Sequence, residues 1–155
     1  MKLYYIIIPL ITIITSSLGS LFTSKGLTAW YKTINLPSFT PPGSTIGLVW
    51  TTIFILATIS AIIVWGNKLP VSKRQAIAIA FLVNAVLNIL WSYLFFGQHL
   101  LFAAFIEALV LEISVLVLIF LIYPVSKISA YLLIPYSAWV AFASYLTYLT
   151  WFLNK

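Results

Sequence analysis

Cysteine is absent from this 155-residue chain. That excludes disulfides, thiolate metal sites and cysteine nucleophiles, and leaves the redox compartment unread. Charge is almost absent as well: 6% of residues are charged, where a soluble domain carries roughly 25%. So few charges cannot cover a surface with groups that water solvates, so the bilayer must be most of the chain's solvent. Acids are scarcest: Glu107 and Glu112 stand against eight Lys and Arg. Histidine occurs once, at His99, with no second ligand at metal spacing. No Ser/His/Asp arrangement and no glycine-rich phosphate loop is present, which speaks against hydrolytic chemistry, and no metal site is expected. Nor does a basic run interleave with aromatics in a soluble segment. Nucleic acid is therefore set aside, and the excess of cations is read as membrane topology.

What the chain has in abundance is apolar. Hydrophobic residues make up 63% of it and mean hydropathy is +1.14. A transmembrane helix needs about 20 mostly apolar residues, and five stretches qualify, at about 3–23, 44–65, 75–96, 100–122 and 129–153. The expectation is an all-α fold, an integral membrane bundle of five transmembrane helices forming one domain over 1–155. Gly66-Asn67-Lys68-Leu69-Pro70 ends the second stretch, Gly97-Gln98-His99 makes a tight turn after the third, and Tyr123-Pro124 ends the fourth. The first stretch is too long for a signal-peptide core of roughly 7–15 residues. Its Thr12, Ser16 and Ser20, spaced by four, suit close helix packing in lipid.

The one long connection, 25–43, carries Pro37, Pro41 and Pro42 together with Trp30, Tyr31 and Phe39. Loops of this length are uncommon without a job. Stiff and aromatic, it reads either as an interfacial belt or as a lid over a cavity. Lys2, Lys68, Lys73, Arg74 and Lys127 fall on the N-terminal side of the membrane, and Lys25, Lys32 and Lys155 on the other. That bias puts the N-terminus in the cytoplasm, and the long loop and the C-terminus outside.

Within the spans, Asn84, Asn88, Trp91 and Phe95 fall at i, i+4, i+7 and i+11 on one helical stripe. An amide in hydrocarbon is costly unless hydrogen-bonded. Two of them imply either helix–helix bonds or a pair that orients a ligand. In the second stretch Trp50, Phe54, Ala57 and Ala61 share a face, and in the fifth Trp139, Phe142 and Ala143 do, with Leu146 a turn on. Aromatics at such spacing serve as core or anchors. Three helices that each offer a tryptophan beside small or polar residues also suit one pocket for a large flat ligand. Glu107 and Glu112, five positions apart, point about 140° from each other on a helix. They do not form a paired-carboxylate site; structural acids and proton-coupled transport remain the readings.

These residues carry a family likeness. Trp30-Tyr31, the run Leu36-Pro37-Ser38-Phe39-Thr40-Pro41-Pro42-Gly43 and Trp50 resemble the first loop and second helix of the TspO/MBR family of tryptophan-rich sensory and translocator proteins. Asn84 to Ser92 with Phe95-Phe96-Gly97 resembles its third helix, and Leu133 to Tyr136, Trp139 and Ala141 to Leu146 its fifth. The likeness spans essentially the whole chain. It implies a five-helix bundle, often a homodimer, in a membrane such as the bacterial cell membrane. It implies a cavity toward the long loop that binds porphyrins such as protoporphyrin IX, and in some members benzodiazepine-type drugs. No tightly bound cofactor is expected; porphyrin enters as ligand or substrate.

By the same likeness Trp30, Tyr31, Trp50, Asn84, Asn88, Trp139 and Ala143 match the family's ligand-binding residues, and the helix faces add Phe54, Trp91 and Phe142 to the candidate ligand-binding set. Trp50 and Trp139 would be catalytic if the porphyrin is degraded in light. Glu107 also has a family counterpart, whereas Glu112 looks additional. One departure concerns sterols. The proposed motif allows one to five residues between Tyr and Lys/Arg, and six separate Tyr148 from Lys155. The functional expectation is a tetrapyrrole receptor or sensor, with a porphyrin-degrading enzyme and a porphyrin or drug transporter as alternatives.

Overall fold

The computed structural model describes residues 2–28 and 30–155. Among them every regular element is helical: α1 (Tyr4–Thr28), a 3₁₀ turn (Trp30–Lys32), α2 (Gly43–Gly66), α3 (Val71–Ser92), a π turn (Tyr93–Gly97), α4 (Leu101–Ile122), α5 (Lys127–Leu132) and α6 (Ile134–Leu153). Five spans are long and apolar enough to cross a membrane, the third being α3 with the π turn and the fifth α5 with α6. The outward faces are oily throughout. Phe120 is 79% exposed and Leu48 68% exposed, which only lipid tolerates over so much surface.

The helix starts follow local chemistry. Pro42 and Pro70 occupy the N-caps of α2 and α3, where the N–H that proline lacks is not needed. Ser126 caps α5 by accepting from the Ser129 amide at 3.2 Å. Three boundaries differ from the sequence reading. Helix α3 begins at Val71, four residues before the expected start near 75. Helix α1 runs on to Thr28, so the first four residues assigned to the long loop are helical and the true connection is shorter. The fifth span is broken at Leu133, because Pro135 opens α6 and cannot continue a helix from α5.

The spans close a ring in the order α1, α2, α5 with α6, α4, α3, and back to α1. Helix α4 is the most extensively packed span, lying along both α6 and α3. Its Ala104, Ala108, Leu111, Val115, Leu118 and Ile122 are all buried. Helix α2 meets the fifth span chiefly through α5, where Ser60 Oγ donates to the Ser129 carbonyl at 2.9 Å. Contact with α6 is much thinner, so a space opens between α2 and α6 toward the long loop.

Candidate functional site

That space is a cavity of about 970 Å³ beneath the α1–α2 loop, at the large end of the roughly 300–1,000 Å³ usual for ligand pockets. Helix α2 supplies Trp50 and Phe54, α3 supplies Asn88 and Trp91, the π turn supplies Phe95 and Phe96, and α6 supplies Trp139, Phe142 and Ala143. Tyr31, Leu36, Pro37, Thr40 and Pro41 of the loop reach it from above. The structure therefore brings the expected tryptophans of α2, α3 and α6 to one chamber.

Two expected residues do not line it. Trp30 lies behind the wall, stacked on His99 with ring centroids 4.1 Å apart and planes 12° from parallel, and edge-on to Phe95 at 5.7 Å. His99 holds a left-handed backbone, φ 58°, which histidine adopts more readily than most residues. The stack thus ties the loop to the α3–α4 turn. Asn84 lies deeper, outside this cavity. Its Nδ2 donates to Ser114 Oγ at 2.8 Å, and its Oδ1 accepts from Tyr136 Oη at 3.0 Å. Asn88 Nδ2 donates to the same Tyr136 oxygen at 3.2 Å. Asn84 thus bonds across to both α4 and α6, and Asn88 to α6. Asn88 alone of the pair also faces the chamber.

The loop is fastened at two further points. The Asn154 side chain accepts from the Asn35 amide at 2.9 Å and donates to the Asn35 carbonyl at 2.8 Å. Phe39 stacks on Tyr145 at 6.2 Å and leans on Phe142 at 6.4 Å. A segment pinned at both flanks and its middle, directly over a cavity, has the placement of a lid rather than a belt. Burial raises the Tyr31 hydroxyl above the ordinary tyrosine range, so it stays a neutral donor at physiological pH. Lys25 and Lys32 are exposed beside the loop and do not line the cavity.

The hydroxyl groups of α1 were not singled out as site residues. Ser16, Ser20, Thr23 and Ser24 line the cavity. Ser16, Thr23 and Ser24 donate to their own helix's carbonyls at 3.0–3.2 Å, which leaves oxygen lone pairs facing inward. Their recurrence every three to four residues was legible, but as packing. On the opposite wall, the indole N–H groups of Trp91 and Trp139 are buried and have no acceptor among the described residues. An orphaned donor costs about 1–3 kcal/mol.

The TspO/MBR family model matches residues 6–152.

The chain belongs to the TspO/MBR family. It is 40% identical over 125 residues to the tryptophan-rich protein TspO of Bacillus cereus, covering 81% of this chain and 80% of that one. It is 38% identical to the TspO of Archaeoglobus fulgidus, over 88% and 87% of the two chains. The human translocator protein is 28% identical over 86% of this chain and 79% of its own length. Family membership makes this an integral membrane protein. The loop itself, the tryptophan walls and the Asn–Tyr–Asn bonding all fall inside the matched residues.

Proposed function

We propose that this protein is a membrane receptor or sensor for tetrapyrroles such as protoporphyrin IX, and that the same chamber takes benzodiazepine-type ligands. The carrying observation is the cavity itself, about 970 Å³ with Trp50, Trp91 and Trp139 in its walls. A porphyrin is large, flat and apolar at its centre, so indole rings stack on it or meet its edge. The neutral Tyr31 hydroxyl and the α1 hydroxyls offer polar contacts at the rim, and Lys25 and Lys32 lie on the side where propionates would emerge. The site residues of this reading are Tyr31, Trp50, Phe54, Asn88, Trp91, Trp139, Phe142 and Ala143. Trp30 and Asn84 support them from behind. The family likeness supports a homodimer as the working unit.

A second reading, light- and oxygen-dependent porphyrin degradation, is favoured by the indoles of Trp50 and Trp139 in the same walls. An excited porphyrin passes energy to oxygen, and a nearby indole is readily oxidised. One experiment separates the two. Wild type, Trp50→Phe and Trp139→Phe are titrated with protoporphyrin IX, following tryptophan quenching, and then illuminated in air while absorbance is recorded. The receptor reading expects saturable quenching and an unchanged porphyrin spectrum in all three. A new product in wild type that both variants lose, with binding retained, makes the protein an enzyme. No quenching at all rules out the shared chamber. Transport, the third reading, would require porphyrin flux across vesicles responsive to pH.

A further inference from the structure

A second cavity, of about 400 Å³, lies on the far side of the Asn88–Tyr136 contact, between α1, α2 and α3. It runs beside α1 from Leu3 to Thr15, about 18 Å of helix at 1.5 Å per residue. That is roughly one leaflet of a hydrocarbon core about 30 Å thick. Several of its polar wall groups are already bonded within the protein. Thr12 and Thr58 share a hydrogen bond at 2.8 Å, Thr15 donates to the Ile11 carbonyl at 2.9 Å, and Asn84 and Asn88 meet at Tyr136. Such a chamber offers water few partners and presents alkyl surface to whatever enters.

The mouth is basic. Tyr4 and Trp65 line the end of the cavity nearest the N-terminus, and the Tyr4 hydroxyl lies close to Gly66. Lys2 precedes α1, Lys68 follows α2, and Lys73 and Arg74 open α3. On α3, Arg74 leads the stripe that continues through Ala78, Phe81 and Ala85 into the cavity wall. The chain's two carboxylates, Glu107 and Glu112, both lie within α4, so none stands in the segments that carry these four cations.

We propose that this cavity is a binding site for one anionic phospholipid, an acyl chain inserted between α1, α2 and α3 and the phosphate held by Arg74 with Lys2, Lys68 and Lys73. The match is of depth, wall chemistry and charge at once. Because Phe54 and Asn88 line both cavities, a chain lodged here also presses on the wall of the upper chamber.

The test is native mass spectrometry of the full chain, reconstituted with an equimolar mixture of dioleoyl phosphatidylglycerol and dioleoyl phosphatidylcholine and released in mild detergent. Wild type should retain one phosphatidylglycerol in preference to phosphatidylcholine. Ala57→Phe and Ala85→Phe, which fill the cavity from α2 and α3, should lose the retained lipid, with helical circular dichroism checking that they fold. Arg74→Gln, which leaves the cavity open, should keep a lipid but lower the preference for phosphatidylglycerol roughly fivefold, one basic residue's share near an anionic surface. It decides the matter alone if the filled variants do not fold. The proposal is overturned if wild type retains the two lipids alike, if folded Ala85→Phe holds lipid as wild type does, or if Arg74→Gln leaves the preference unchanged. Protoporphyrin IX binding at two per chain in wild type and one in Ala85→Phe, with lipid retention unaltered, also overturns it.

Discussion

Asn84 and Asn88 look interchangeable along the helix, one turn apart on one stripe, yet the bundle gives them different work. Asn84 is held on both sides, by Ser114 and by Tyr136, and does not face the upper chamber. Asn84→Leu should therefore lower thermal stability while leaving porphyrin affinity of the folded protein unchanged. Interhelical bonds in lipid average about 0.6 kcal/mol with a maximum near 1.7, so losing two costs roughly 1–3 kcal/mol. Asn88 spends one donor on Tyr136 and turns toward the ligand space. Asn88→Leu should weaken porphyrin binding by about 1–2 kcal/mol, a typical cost for a buried hydrogen bond, with a smaller loss of melting temperature. Fluorescence titration alongside thermal unfolding of both variants checks the pair. Wild-type affinity in a well-folded Asn88→Leu would remove it from the site.

At the scale of elements, the end of α3 decides the shape of the chamber. From Tyr93 the helix widens into a π turn, with the Gln98 amide bonded to the Tyr93 carbonyl at 2.8 Å. The consecutive Phe95 and Phe96 are both buried here and both line the chamber. Phe95 stacks on Trp91 at 5.2 Å, and Phe96 meets Tyr31 at 5.6 Å, so this turn joins the chamber wall to its lid. Helix α1 comes against it at Gly26. A Cβ there would lie 2.8 Å from Phe96 Cβ and 2.9 Å from the Phe96 carbonyl oxygen. Gly26→Ala should therefore push the two elements apart, at the roughly 1–3 kcal/mol typical of overpacking. The expected readouts are a lower melting temperature and faster porphyrin dissociation. An unchanged melting temperature would show that the contact yields freely.

For the whole molecule the ring of spans sorts the cations to opposite ends, Lys2, Lys68, Lys73, Arg74 and Lys127 at one and Lys25, Lys32 and Lys155 at the other. By the positive-inside rule we propose that the first end lies in the cytoplasm, an orientation in which the lid and the larger chamber open outward and the smaller cavity meets the inner leaflet. Single-cysteine variants Lys68→Cys and Lys32→Cys in this cysteine-free chain, labelled with a membrane-impermeant maleimide in intact cells, should react only at residue 32. Labelling of residue 68 alone would invert the topology, and labelling of both would break the five-span arrangement.

Composition and hydrophobic run length by themselves determined that the chain is helical, that it spans the bilayer five times and roughly where each span lies, because lipid leaves the backbone no other partner for its polar groups. Helical periodicity also put Asn88, Trp91 and Phe95 on one stripe. Periodicity describes one helix at a time, so only the assembled ring could separate Asn84 from Asn88, set Trp30 behind the wall on His99, and turn the α1 serines toward the chamber. The π turn was hidden because no residue within Tyr93–Phe96 breaks a helix. The smaller cavity was hidden for a related reason: it is the space left where neighbouring spans diverge, and the crossing of helices is a property of pairs of faces that no single stretch of sequence contains.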